Sequence, residues 1–440
     1  MTSAERARAV ALIESFLGSF YVTVTRGLYV PMLAYSGYDV EEISAVTVAA
    51  ALLGVLASYA CYRRSNEFSS RIEAALPIVH GLERLLWLCL PLAARDAFLL
   101  SLCYSAALAI TIPVGALLNV ALFSSLGPEA FTRISAERAA VGSAASILGG
   151  LYAVEGSMLI GRGQTFFDLY LSSCLVGLLG TLSLLFLPLG ALPEGSPVPS
   201  RLARGEAEEA RVNVFVMLSL MMAGGNLLGL AWPPLLRDIG APLYGAAALS
   251  LFGSLGGVVG SLALRGSRSY LLGVILNTTL TGVVALVRAW QIHVTLSFGL
   301  SATFVGANLL AASVYSRYVH AIGVGRASVL LSAANAIGML AAALAGLALG
   351  SDYPALLALS ASLKALAALV ASLGIPGASL VEPETAREYA RLLSSASLLG
   401  YNLAMGVTRA VARLLVESLA LAALVALVLL IYEVASILAG

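Results

Sequence analysis

Charge is scarce in this 440-residue chain: 11% of residues are charged, against 60% hydrophobic. A soluble globular domain carries roughly 25% charged residues. There is too little polar surface here to face water on every side, so lipid must cover much of the exterior. Lysine is scarcer still. Of 25 basic residues all but Lys364 are arginine. Because Leu363 precedes it, Lys364 cannot complete a Gly-x-x-x-x-Gly-Lys-Ser/Thr phosphate loop, and ATP hydrolysis by that route is excluded. Histidine stands only at 80, 293 and 320. The nearest approach to a His-Glu-x-x-His zinc motif is His80-Gly-Leu-Glu83-Arg84, so an intramembrane enzyme, one alternative reading, lacks its parts. The four cysteines, at 61, 89, 103 and 174, show no Cys-x-x-Cys spacing and lie mostly in apolar runs, where cysteine behaves as a small hydrophobe. No disulfide framework, metal site, cofactor or nucleic-acid partner is expected. The expected partners are the lipid bilayer and a small solute.

What is present is continuous apolar sequence. Crossing a hydrocarbon core of roughly 30 Å takes about 20 residues of helix, and backbone groups in lipid must be satisfied internally. Barrel strands would alternate apolar and polar residues; runs such as Leu414–Ile431 do not. The chain reads as all-α, with spans near 9–34, 43–62, 73–94, 97–122, 137–161, 167–190, 212–236, 243–264, 270–290, 294–316, 325–349 and 353–373. A further run at 414–437 is long enough to be an extra C-terminal span. Before it, Pro383–Arg413 reads as an amphipathic helix on the cytoplasmic face. With the N-terminus in the cytoplasm, eighteen arginines fall on the inner side and four on the outer, the bias that fixes orientation in a cell membrane. Arg6 and Arg8 before an apolar run imitate a signal peptide, but Glu14 interrupts the run, so it is read as a retained first span.

Pro193–Arg211, rich in proline and charge, follows six spans and reads as a cytoplasmic joint. A shift of 203 aligns Pro31–Gly37 with Pro234–Gly240, and matches Gly54, Ser58 and Ala60 with Gly257, Ser261 and Ala263. A shift of 188 aligns Arg138 and Gly150 with Arg326 and Gly338. These matches fall at equivalent span positions and predict a duplication. The predicted organisation is a six-helix half over 1–192, a linker over 193–211, a second six-helix half over 212–373, and the amphipathic segment with its extra span over 374–440. Two six-span halves joined by a charged linker resemble the major facilitator superfamily over roughly residues 9–373. That family's loop signature, G-x-L-a-D-R-x-G-R-R, is similar to Gly260-Ser-Leu-Ala-Leu-Arg265-Gly-Ser-Arg268. Leu264 replaces the acidic position, and the first loop, Ser58-Tyr-Ala-Cys-Tyr-Arg63-Arg64, departs further. The resemblance implies secondary or facilitated transport of a small solute by alternating access of the two halves around a midplane site. The degraded loops support a second reading, a sensor or scaffold of the same fold that does not transport.

Ionisable and polar residues within spans are the functional candidates. Ser19, Thr23, Arg26 and Tyr29 recur at helical spacing as one polar stripe of span 1. Arg26 either contacts an anionic solute or is held by an ion pair or backbone carbonyls. Asn226, after Gly224 and Gly225, is the partner of Thr23 at the 203 shift, so both halves offer polar groups to one site. Glu155 is read as the counter-ion of Arg26, as a protonatable coupling site, or as a headgroup-layer residue. His80, Glu83 and Arg84 form either a structural ion pair or a proton relay. Asn119 and Asn308 suit an inner gate. Trp87 and Trp290 read as interface anchors. Glycines and alanines four apart (Gly253 and Gly257, Gly256 and Gly260, Gly338 through Gly350) predict close helix packing.

Overall fold

A computed structural model of the chain describes residues 3–64, 72–188, 201–264, 266–317 and 324–375. Of these, the backbone alone is described at 123–124, 127–133, 135–136, 201–211, 315–317, 324–325 and 327–328. The predicted amphipathic segment and extra C-terminal span lie outside these residues.

The described residues form α1 (Ser3–Tyr35), α2 (Val40–Arg63), α3 (Ile72–Ala93), α4 (Ala97–Leu159), α5 (Phe166–Leu184), α6 (Arg201–Asp238), α7 (Leu243–Ala263), α8 (Ser267–Val284), α9 (Trp290–Arg317), α10 (Val324–Leu349) and α11 (Tyr353–Gly374). No strand occurs among them. Among the described residues, ten stretches are long and apolar enough to cross a membrane. Large apolar side chains point outward, with Phe98 80% and Leu286 82% exposed. Only lipid makes such an exterior favourable.

Polar caps set the helix starts. Asp39 and Glu42 form a capping box at α2, Thr165 and Asp168 another at α5, and Asp96 and Asp352 cap α4 and α11. Each satisfies amide donors that the first turn leaves free. At the end of α1, Tyr38 N–H bonds Leu33 O and Gly37 N–H bonds Ala34 O; at the end of α6, Ala241 N–H bonds Leu236 O and Gly240 N–H bonds Arg237 O. Gly37 and Gly240 both have positive φ, 104° and 80°, where glycine is favoured. The two turns are the same motif displaced by the 203 residues seen in the sequence.

Three boundaries differ from expectation. Spans 4 and 5 are one continuous helical stretch, α4. At about 1.5 Å per residue it would reach roughly 95 Å if straight, far beyond one bilayer. Its two arms run oppositely past α1. Thr111 and Tyr104 meet Arg26 and Tyr29, whereas Gly142 and Gly149 face Ser15–Ser19 and Phe20–Thr23. The chain therefore turns back between 122 and 142 while remaining helical. Residues 201–211, expected in the linker, belong to α6; their Ala, Glu and Arg are strong helix formers. Trp290 opens α9 instead of ending α8.

The small-residue stripes lie at close helix crossings. A Cβ on Gly256 or Gly260 would collide with the carbonyls of Phe298 or Ala302 on α9, one on Gly338 with the α6 backbone at Met222–Ala223, and one on Gly346 with Ser44 on α2. Gly257 is different: a Cβ there would meet nothing within 4 Å, because it faces a cavity.

Candidate functional site

A cavity of about 700 Å³ occupies the middle of the bundle, lined by every described helix except α5. This is ample for a small-molecule ligand. Its first wall comes from α1, α3 and α4. Tyr29 and Tyr104 stack at 4.3 Å, and Trp87 stands edge-on to both at 5.9 Å. The Arg26 guanidinium lies 5.3 Å from the centre of the Trp87 ring. The second wall comes from α6 to α11 and is rich in amides. Asn226 Nδ2 donates to Asn335 Oδ1 at 3.2 Å, and Asn277 and Lys364 also border the space.

Arg26 is paired. Its Nη2 donates to Glu83 Oε1 at 2.7 Å and to Thr111 Oγ1 at 3.3 Å. Glu83 is fully buried, and its other oxygen accepts from Arg84 Nη1. Arg84 lies 4.8 Å from the centre of the Tyr21 ring. One carboxylate thus sits between two guanidinia. One turn toward the N-terminal end of α3, His80 approaches Glu14 Oε1 at 3.3 Å and Thr181 Oγ1 at 2.8 Å, and Glu14 Oε2 accepts from Arg138 at 2.9 Å. Glu14, noticed in the sequence only as an interruption, is buried to hold this second pair.

Several expectations are corrected. Glu155 is exposed and is not the counter-ion of Arg26; the second arm of α4 turns it away, and Glu83 takes that place. Thr23 is buried where a Cβ on Gly149 would touch it, not on the cavity. The stripe containing it spreads over more than one neighbour: Ser19 lines a second cavity, while Arg26 and Tyr29 line the first. Asn308 is exposed, Asn119 is half-buried, and neither lines this cavity or the second one. Trp87 is no interface anchor but is 2% exposed in the cavity wall. Tyr104, Asn277, Asn335 and Lys364 were missed as site residues. The signal for Lys364 was its solitude in an apolar run.

At one end of the bundle the two equivalent turns are in direct contact. Arg237 Nη1 donates to Ala34 O and Tyr38 O at 2.8 and 3.0 Å. The Tyr35 hydroxyl donates to Ala241 O at 2.7 Å. Toward the other end, a polar cavity of about 500 Å³ is lined by Ser15, Ser19, Arg138, Ser143, Ser146 and Ser254. Gly257 borders both cavities.

No family model and no curated protein matches the chain. Solved structures do. The nucleoside transporter NupG superposes with a TM-score of 0.56 over 84% of this chain and 98% of that one, at 12% identity. The human organic anion transporter MFSD10 (TETRAN) superposes with a TM-score of 0.54 over 84% of this chain and 100% of that one, at 14% identity. Helix order, the central cavity and these superpositions agree: this is a multi-pass membrane protein with the major facilitator fold.

Proposed function

We propose that the protein moves a small, acceptor-rich organic anion across the cell membrane by alternating access of two halves, α1–α5 and α6–α11, around the central cavity. One observation carries the reading. Arg26 and Lys364 border the cavity and no carboxylate does, among the described residues. A cation would meet the Lys364 ammonium, which has no carboxylate within 4.0 Å among the described residues, whereas an anion would find donors for charge-assisted hydrogen bonds. The fold shared with two transporters supports the transport step. In this reading the N-terminus is cytoplasmic, the Arg237 and Tyr35 contacts form the outer closure, and the serine-lined cavity is the inner approach.

The test is uptake into proteoliposomes, with and without a proton gradient, of radiolabelled organic anions beside cations of similar size. Anions are expected to accumulate and cations to be excluded. Arg26→Lys keeps the charge opposite Glu83 but loses the planar fork. Losing a hydrogen bond to a charged group costs about 1.5–3 kcal/mol, so anion uptake should fall about tenfold or more while folding is retained. Uptake of a cation that is unimpaired in Arg26→Ala would overturn the anion reading.

A further inference from the structure

Lys364 is 1% exposed in the middle of α11. Its stem reaches the cavity across α6 at Gly224, where a Cβ would stand 2.7 Å from Lys364 Cγ. Any side chain at 224 would block that route. The ammonium donates to Thr281 Oγ1 at 2.8 Å, and the Thr281 hydroxyl in turn donates to Asn277 O at 2.8 Å. No carboxylate lies within 4.0 Å of Nζ among the described residues. An ammonium has three donors, so two remain for whatever enters the cavity.

On α8, one turn before Thr281, Asn277 is equally buried and also lines the cavity. Its Nδ2 donates to Leu300 O at 2.6 Å and to Thr303 Oγ1 at 2.9 Å. Leu300 O can only accept, so the amide cannot be turned over. Asn277 Oδ1 is left buried with no partner among the described residues. Leaving a buried acceptor unpaired is costly, and so is burying a charge without a counter-charge. Two neighbouring residues therefore carry opposite unmet needs, a donor pair seeking an anion and an acceptor seeking a donor. Arg26 differs, since Glu83 already answers it.

We infer that Lys364 and Asn277 form the subsite for the acid group of the solute: a carboxylate or phosphate on Lys364 Nζ, with a hydroxyl or N–H beside it donating to Asn277 Oδ1. The solute class is an organic acid with a hydrogen-bond donor next to its acid group. Its far end reaches the Arg26–Trp87–Tyr29 wall, where Tyr29 Oη, Trp87 Nε1 and Arg26 Nε have no partner among the described residues. This deepens the transport reading and rests on it.

The solitary lysine makes the subsite testable without knowing the solute. The purified full-length protein is treated with uncharged pyridoxal, alone or with lactate or propionate present. The imine is trapped with borohydride, and the adduct on Lys364 is quantified by mass spectrometry. The amine that attacks the aldehyde, releasing water, is the same Lys364 Nζ that holds the acid group, so a bound acid competes with labelling. One charge-assisted hydrogen bond corresponds to about tenfold in affinity, so a saturating acid should slow labelling about tenfold or more. Lactate should protect better than propionate, which lacks the hydroxyl, and Asn277→Leu should erase that difference. Labelling that neither acid slows, or no labelling of Lys364, would overturn the inference. Its failure is separable from that of the transport reading. Anion uptake that survives Lys364→Met, with unprotected labelling, removes the subsite and leaves transport. Acid-protected labelling without uptake of any solute keeps the subsite and removes transport.

Discussion

Glu83, itself fully buried, answers two guanidinia, Arg84 buried beside it and Arg26 on the cavity, so its removal is the sharpest test at the scale of single residues. Breaking a buried ion pair from one side costs about 3–5 kcal/mol, whereas removing both partners can be nearly neutral. Glu83→Gln strands both Arg26 and Arg84. It should lower the thermal unfolding temperature in detergent clearly, and adding Arg84→Met should restore part of the loss. A Glu83→Gln protein as stable as wild type, deficient only in proton-driven uptake, would favour a relay instead. The sequence identified the participants better than their pairings. Arg26, Glu83 and Arg84 are conspicuous because charge within a span is rare. Which carboxylate meets Arg26 depends on how α3 and α4 are rotated about their axes, and periodicity within one helix carries no information on that. The same blindness hid Trp87, whose place near a helix end suggests the interface until its neighbours Tyr29 and Tyr104 are seen.

Helices meet at two points where movement can be tested. The first is the pair of equivalent turns after α1 and α6. Arg237 on one donates to carbonyls of the other, and Tyr35 on the other donates back to Ala241 O. The arrangement is close to twofold, as expected of two copies of one motif facing each other. Arg237 is partly exposed, so solvent discounts its bonds to a total of about 1–2 kcal/mol. Arg237→Ala should therefore raise the population open at this end about tenfold, read as faster modification of a Ser250→Cys probe in the cavity wall. No change in that rate would mean the contacts do not hold the closure. The second point is Gly257, which borders both cavities with open space around it. Gly257→Leu adds bulk where a Cβ would meet nothing within 4 Å, and replaces glycine with a better helix former. Uptake should fall at least tenfold while the unfolding temperature is kept; unchanged uptake would place the path elsewhere. Of these elements, the duplicated turn was legible because Pro and Gly mark it at matching positions. The continuity of α4 was not, because 123–136 mixes polar and apolar residues around Gly127 and Pro128, and hydropathy cannot tell a helical turn of that composition from a loop.

Over the whole molecule, composition reached furthest, since too little charge for water and runs of about 20 apolar residues leave few alternatives to a helical bundle. Orientation is the property that composition implies and that experiment must fix. Several loops share one end of the bundle. Arg237 reaches Ala34 and Tyr38, the Tyr38 hydroxyl reaches Ala94 O, and the Tyr353 hydroxyl reaches Asp238. That end holds the turns at 36–39, 94–96, 239–242 and 350–352, and the arginine count is low on it. Positive loops stay in the cytoplasm, so this end should face outward and the start of α3 inward. The check is single-cysteine labelling after Cys61, Cys89, Cys103 and Cys174 are replaced, with alanine at the buried Cys61 and Cys174. Ser351 and Glu73 are both exposed, and neither contributes positive charge, so cysteines there leave the orienting bias untouched. A membrane-impermeant maleimide should label Ser351→Cys in intact cells and Glu73→Cys only after permeabilisation. The reverse pattern would invert the bundle, turning the Arg237 contacts into an inner closure and the serine-lined cavity into the outer approach. Labelling of both in intact cells would mean that the chain inserts in two orientations, and the eighteen-to-four bias would then have failed to set one.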